Sequence, residues 1–451
     1  MILKLSSRDF EIILYGNKYT SFRAFNIMEI FSRKIASNSL WMMLEKFISI
    51  FGLIFVMSYV AKYMGPSNFG KIALVTTIFT FVQSFVWFGN QEILFKRVSK
   101  NAYSGLKYLQ ATQKLRTIIF IIVSLPVLII LYYFSDLLTV LFGIATALSS
   151  YFLTQDIFNI YNNATLNSYI NAISNTLGLI IALLIRYFLV NNNFSYEYLA
   201  IPIVAVTLIP YLLKNYIFNK HHKITLKSTH LYRKYYFFAG SALLLSSLSI
   251  AFYTQITSFL LGILHSTSAL GVYACALSLG ISWSFVNLAI ITSVLSKIYS
   301  EKDVFKSYQM VFHLNLVVIC ISFVVAGGLY IVGPYVIELL YGTEYHEAQD
   351  LLVVLCFATM FSGLGTIAAR LLIKEESYSY ISRKMLVVAV ISFPIAWVCI
   401  YLGGAKGAAY SMMLIELLSA TVFNYFYKNG LIFKIHFFPI FKQHLNLTNK
   451  I

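Results

Sequence analysis

The chain has 451 residues, of which 59% are hydrophobic and only 11% charged, whereas about a quarter of an ordinary soluble domain is charged. A chain of this make-up cannot solvate its own surface, so soluble globular and disordered classes are excluded and it reads as a membrane protein. Lysine and arginine outnumber aspartate and glutamate 34 to 17; in this class the excess is sorted by membrane side before any partner is considered, and it is not a nucleic-acid footprint.

A basic arm of mixed polarity, 1–37, comes first and shows no cleavable signal pattern. Twelve runs then meet the requirement of ~20 mostly apolar residues for a membrane-crossing helix: 38–61, 69–93, 117–134, 137–158, 166–190, 198–218, 237–264, 269–296, 311–332, 350–373, 385–402 and 407–427. They are long Leu, Ile, Val and Phe runs, not the short alternating segments of a membrane barrel. The cations between them alternate. They crowd the arm, 93–116, the connection near 214–236, 297–306, 370–384 and the tail, whereas the intervening edges hold only Lys62, Lys71, Arg186 and Lys406. By the positive-inside rule both termini are expected in the cytoplasm. The expected organisation is a cytoplasmic N-terminal arm 1–37, an N-terminal six-helix bundle 38–218, a cytoplasmic basic connection 219–236, a C-terminal six-helix bundle 237–427 and a cytoplasmic tail 428–451.

The two halves share an elbow. "YVAKYMGPSNFGKIALV" (59–75) joins runs 1 and 2, and "LGILHSTSALGVYACAL" (261–277) joins runs 7 and 8, with Gly70 aligned to Gly271. A second alignment pairs "TVLFG" (139–143) with "ELLYG" (338–342). With six runs in each half, both halves point the same way. The fold class expected is therefore an all-α polytopic membrane protein, with twelve transmembrane helices in two six-helix bundles related by a parallel internal repeat. Such bundles can enclose a cavity and rock to open it to either side.

The elbow "YMGPSNFGKIAL", the segment "GGAKGAAYSMMLIE" (403–416) and the short "LLYGTEYHEA" (339–348) resemble the multidrug/oligosaccharidyl-lipid/polysaccharide exporter superfamily. Among its branches the chain looks most like bacterial O-antigen and capsule repeat-unit flippases. The resemblance implies that the partner is an undecaprenyl-diphosphate-linked oligosaccharide, carried from the inner to the outer leaflet of the cytoplasmic membrane. It further implies company with polysaccharide polymerase and chain-length machinery. It carries over no site residue.

Ionisable residues inside apolar runs are costly and are functional candidates by default. Glu416 lies in the middle of run 12, on a face with Ala409, Met413, Ala420 and Asn424; it is a candidate for proton or ion coupling or a hydrogen-bonded packing residue. Glu45 and Lys46 lie in run 1. Glu45 shares the stripe Asn38, Met42, Ser49 and Gly52, expected to wall the cavity and to serve coupling. Lys46 either meets a diphosphate or snorkels to the interface. Arg186, near the outer end of run 5, and Arg370, near the inner end of run 10, either grip phosphate oxygens or anchor the helices. Gln255, on the stripe Ser247, Ala251, Ser258 and Gly262, either lines a sugar path or packs closely. Asp156 and Glu92 read as helix-end contacts. No cofactor is expected, because no GxxxxGK[ST] nucleotide loop occurs. No metal site is expected either: Cys275, Cys320, Cys356 and Cys399 each sit in an apolar run without a CxxC pair. The alternatives to a flippase are a cation-coupled small-molecule exporter of the same fold and, less well supported, a membrane polysaccharide polymerase.

Overall fold

The computed structural model describes residues 20–221, 230–301 and 303–441, and among these every regular element is a helix. The expectations for the start of the arm, for 222–229 of the connection and for the tail beyond 441 lie outside the described residues. The N-terminal half comprises α1 (Thr20–Trp87), α2 (Asn90–Lys100), α3 (Ala102–Phe134), α4 (Leu137–Gln155), α5 (Ile157–Ala164), α6 (Ser168–Asn191) and α7 (Ala200–His221). The C-terminal half comprises α8 (His230–Leu264), α9 (Thr267–Gly280), α10 (Ser284–Ser300), α11 (Val304–Tyr341), α12 (Gln349–Lys374) and α13 (Tyr378–Ala420), then the short α14 (Val422–Tyr425) and α15 (Leu431–His436).

Ten segments of the described chain are long and apolar enough to cross a membrane. Two of them, in α1 and α13, are each a pair of rods broken at Gly65 (φ 72°) and Gly404 (φ 52°). Divided there, the ten become the twelve spans expected. Gly65 takes a positive-φ extended conformation (ψ 166°) open essentially to glycine, which interrupts the helix, and Pro66 follows at the position where a helix tolerates proline best.

Several boundaries differ from the apolar pattern. Run 2 was expected to reach residue 93, but α1 stops at Phe88 and Gly89, which both have positive φ, and α2 starts afresh. Helix α3 begins fifteen residues before the apolar run at 117, because Asn101 caps it by accepting from the Ser104 N–H at 3.0 Å. Run 4 breaks at Asp156, which caps α5 through the Asn159 N–H. Run 8 breaks between α9 and α10.

The repeat is present, with its second anchor in another place. Gly70 and Gly271 meet face to face. A Cβ on Gly70 would lie 1.7 Å from the Thr267 carbonyl oxygen, and one on Gly271 would lie 2.0 Å from that of Pro66. Residues aligned by a two-fold repeat touch only where they straddle its axis, so the elbows mark that axis. The pairing of "TVLFG" with "ELLYG" does not hold: the first lies inside α4 and the second closes α11. The true counterparts are the turns before α6 and α13. The Asn167 N–H donates to Asn162 O at 2.7 Å and the Ser377 N–H donates to Leu372 O at 2.9 Å, while Leu166 (φ 60°) and Glu376 (φ 56°) hold the same left-handed position. Partner for partner these turns are displaced by 210 residues, against 201 at the elbows, so insertions between them blur a fixed-offset search.

Candidate substrate passage between the halves

The largest buried cluster crosses the seam. It joins Ala61, Phe69 and Leu74 of the N-terminal half to Ile256, Leu260, Tyr273 and Tyr345 of the other. Three levels of contact hold the seam shut. At the elbow level, beside Gly70 and Gly271, the Tyr345 hydroxyl donates to Ala61 O at 3.0 Å and its ring meets Phe69 edge-on. Midway, Phe81 of α1 faces Phe252 and Phe259 of α8, with ring centroids 6.2 and 6.1 Å apart. At the opposite end the break at Phe88–Gly89 stops the helix, and the Tyr236 hydroxyl of α8 caps the Val86 and Trp87 carbonyls at 2.5 and 3.2 Å. Asn90 completes this latch. Its Nδ2 donates to Tyr236 O at 3.2 Å, and its Oδ1 accepts from the Tyr108 hydroxyl at 2.5 Å. Arg97 lies over the rings of Tyr108, Tyr232 and Tyr235 at 5.2 to 5.3 Å. Gly240 admits the Phe88 carbonyl so closely that a Cβ would sit 2.4 Å from it.

The six residues singled out by sequence are spread over both halves, and among the described residues no hydrogen bond or ion pair joins any two of them. Glu45 accepts from Asn175 Nδ2 of α6 at 2.5 Å. Its stripe neighbour Gly52 lies against Leu179 of α6, so at these two positions the stripe, expected to wall the cavity, meets its own half; the side chains of Asn38 and Met42 lie outside the described residues. Lys46 is exposed. Arg186 is buried in α6, 6% exposed, with Nη1 unpartnered. Arg370 is exposed, and its backbone carbonyl accepts from the Tyr299 hydroxyl at 3.1 Å. Gln255 is half-buried and falls three residues after Phe252 and four before Phe259, the spacing of one helical stripe, which faces Phe81 across the seam. Glu416 is partly buried in the C-terminal half beside Ser362, with Lys384 and Tyr253 as its charged and polar neighbours. The side chain of Glu92 lies outside the described residues.

Three interior cations escaped the sequence reading because they stand at the ends of apolar runs and were assigned to loops. Lys214 is 1% exposed and pairs with Asp156 at 2.5 Å. Asp156 is therefore more than a helix cap. Lys384 is buried and donates to Ser419 O at 3.1 Å and Asn424 Oδ1 at 3.2 Å. Arg116 is 1% exposed, donates from Nη1 to Thr112 Oγ1 at 2.9 Å, and leaves Nε and Nη2 unpartnered. A signal for Arg116 was present: Tyr108, Thr112 and Arg116 recur every fourth residue on α3, yet the neighbouring Lys107 and Lys114 make the segment read as a wet face. Among the described residues no cluster of His, Cys, Asp or Glu could hold a metal ion.

The twelve spans, the axial elbows and the closable seam define a multi-pass membrane protein with the fold of the multidrug/oligosaccharidyl-lipid/polysaccharide exporter superfamily. Solved structures bear this out. A lipid II flippase, MurJ, in an inward closed conformation superposes with a TM-score of 0.66 at 14% identity, over 89% of this chain and 90% of that one. An inward-facing MATE multidrug resistance transporter of the MOP superfamily gives 0.58 at 13% identity, over 92% and 96%. A MOP superfamily transporter from Pyrococcus furiosus gives 0.55 at 12% identity, over 88% and 95%. A family model described as polysaccharide biosynthesis protein matches residues 59–350. The chain belongs to that polysaccharide biosynthesis family. No curated protein sequence matches it.

Proposed function

We propose that this protein is a flippase for undecaprenyl-diphosphate-linked oligosaccharide repeat units. It would move them from the inner to the outer leaflet of the bacterial cytoplasmic membrane for O-antigen or capsule assembly. The observation that carries this reading is the seam. A chain of a polysaccharide biosynthesis family closes two like halves against each other through separate small contacts at each end, and both closures consist of contacts that can be broken in turn. Release of the elbow-level contacts would open the outer side, and withdrawal of Tyr236 the inner side. Arg186 and Lys46 would serve the diphosphate, Gln255 the sugars at the seam, and Arg370 the inner-leaflet approach. Glu45 and Glu416 would couple transport to an ion gradient, since no nucleotide loop occurs. Both termini would face the cytoplasm, and a polymerase with its chain-length machinery would consume the product.

The test is deletion and complementation in the host, following surface polysaccharide together with lipid-linked repeat units on the inner leaflet. Loss of surface glycan with accumulation of complete, unpolymerised units inside upholds the flippase reading. Intact surface glycan in the deletion strain overturns it. A second reading, a cation-coupled exporter of small molecules, draws support from Glu416 beside Lys384. Sensitivity of the deletion strain to small organic cations, with its glycan intact, would favour that reading.

A further inference from the structure

Arg116 is the most deeply buried guanidinium among the described residues, and most of its five N–H donors are unused. Nη1 is taken by Thr112 Oγ1 at 2.9 Å, while Nε and Nη2 have no partner. Those two nitrogens share one edge of the planar group, the fork that receives two oxygens of a carboxylate or phosphate side by side. Among the described residues no carboxylate is hydrogen-bonded or ion-paired to it. Asp156 is held by Lys214 at 2.5 Å. Its surroundings are the Trp87 ring, 5.8 Å from Cζ, and the phenols of Tyr108, Tyr151, Tyr211 and Tyr236. A buried cation with a free fork is left without the hydration it gave up unless an anion completes it. Gln155 Oε1, close by on α4, is likewise unpartnered. One of those walls is removable. Tyr236 comes from the C-terminal half, hydrogen-bonded to Val86, Trp87 and Asn90 and packed against the Phe88 and Tyr108 rings.

We propose that Arg116 is a binding residue for phosphate oxygens, closed off in this state by Tyr236 and bared when the latch opens. Resting on the flippase reading, the inference assigns the site to the diphosphate of the lipid-linked substrate at its point of loading.

The experiment uses the full chain purified in a phosphate-free sugar detergent. Phenylglyoxal labelling of Arg116 is followed by peptide mass spectrometry in wild type, Tyr236→Ala and, should that variant fold poorly, Asn90→Ala. Labelling is expected to be about tenfold faster with the latch opened, and to be suppressed by a polyprenyl diphosphate. Protection by that lipid and not by phosphatidylglycerol identifies the substrate headgroup as the source. Protection by inorganic pyrophosphate alone keeps the site and makes free phosphate its ligand. Absence of protection by all three probes in an opened variant overturns the proposal. Direct binding of the polyprenyl diphosphate separates the two readings. Arg116→Ala is expected to lose affinity about tenfold and Arg116→Lys to recover only part of it, because lysine lacks the fork. Full affinity in Arg116→Ala sinks the inference and leaves the flippase standing. If wild type binds no polyprenyl diphosphate while pyrophosphate still protects Arg116, the flippase reading fails and the anion site survives.

Discussion

Lys214 and Asp156 stand 58 residues apart in the chain and 2.5 Å apart in space. In a bundle interior such a pair roughly offsets its own desolvation, but either partner alone is an uncompensated charge. Lys214→Met is therefore expected to destabilise the protein by about 3–5 kcal/mol. The double variant with Asp156→Leu should recover much of that loss, because an apolar pair of similar volume carries no desolvation cost. Thermal unfolding of the detergent-solubilised protein measures both. Equal melting of the single and double variants would show that the ion pair does not act as a unit. Lys384 is a cation of a different kind. It has a carbonyl and an amide oxygen at 3.1 and 3.2 Å rather than a paired acid. Nothing in local sequence separates Lys214, Lys384 and Arg116 from the basic residues that mark a cytoplasmic loop, since all three lie within a turn or two of an apolar run. Burial, a property of neighbours brought from other helices, makes the distinction.

Among elements, the short α15 shows how a segment outside the membrane spans is tied down. Ile432, Ile435 and Phe438 are buried, and Phe438 meets Phe305 and Phe312 of α11. His436 Nδ1 lies 3.0 Å from the Tyr425 hydroxyl. Burial pushes the His436 imidazole down to about 4, from an ordinary 6.5. The docked helix thus prefers neutral histidine, whereas the released one takes up a proton near 6.5. Docking is then complete above pH 6.5, weakens as pH falls from 6.5 towards 4, and changes no further below that. Hydrogen exchange of the α15 amides across this range checks it: His436→Phe should abolish the dependence, and a dependence unaltered by that change would assign it elsewhere. The elbows make a second point. The glycines Gly70 and Gly271 were legible as a repeat. What they are for was not, because a sequence alignment shows which positions correspond but not that the corresponding residues touch.

For the whole molecule, the axial contact gives a handle on the proposed transport cycle. The Ser67 and Thr267 hydroxyl oxygens lie 3.4 Å apart across the seam. Cysteines at both positions, in a background with the four native cysteines replaced, are expected to form a disulfide and to reduce transport to background until a reductant is added. Single cysteine variants should retain activity. Undiminished transport by the cross-linked protein, with the cross-link confirmed by gel mobility, would mean that the halves do not part at the elbow. The same structure that closes this end also closes the Tyr236 latch, so opening on either side costs only the contacts of that side. On the proposed flippase reading, this arrangement lets a substrate with differential affinity shift the balance between inward- and outward-open forms.

Sequence by itself determined the class, the all-helical spans and their count, and the existence of two like halves. These follow from local quantities: the length of each apolar run, the placement of cations beside it, and a turn motif whose glycine and proline act where they stand. Gly65 and Gly404 even divide the two long helices where the apolar runs had already divided. Tertiary structure alone decided that Glu45 faces Asn175, that Arg116 and Lys214 are interior rather than cytoplasmic, that Arg370 is exposed, and that the second repeat anchor is displaced by 210 residues. Those outcomes depend on which faces of distant helices meet. In a bilayer, where every span is apolar on most sides, hydrophobic pattern does not distinguish the lipid-facing stripe from the one turned inward.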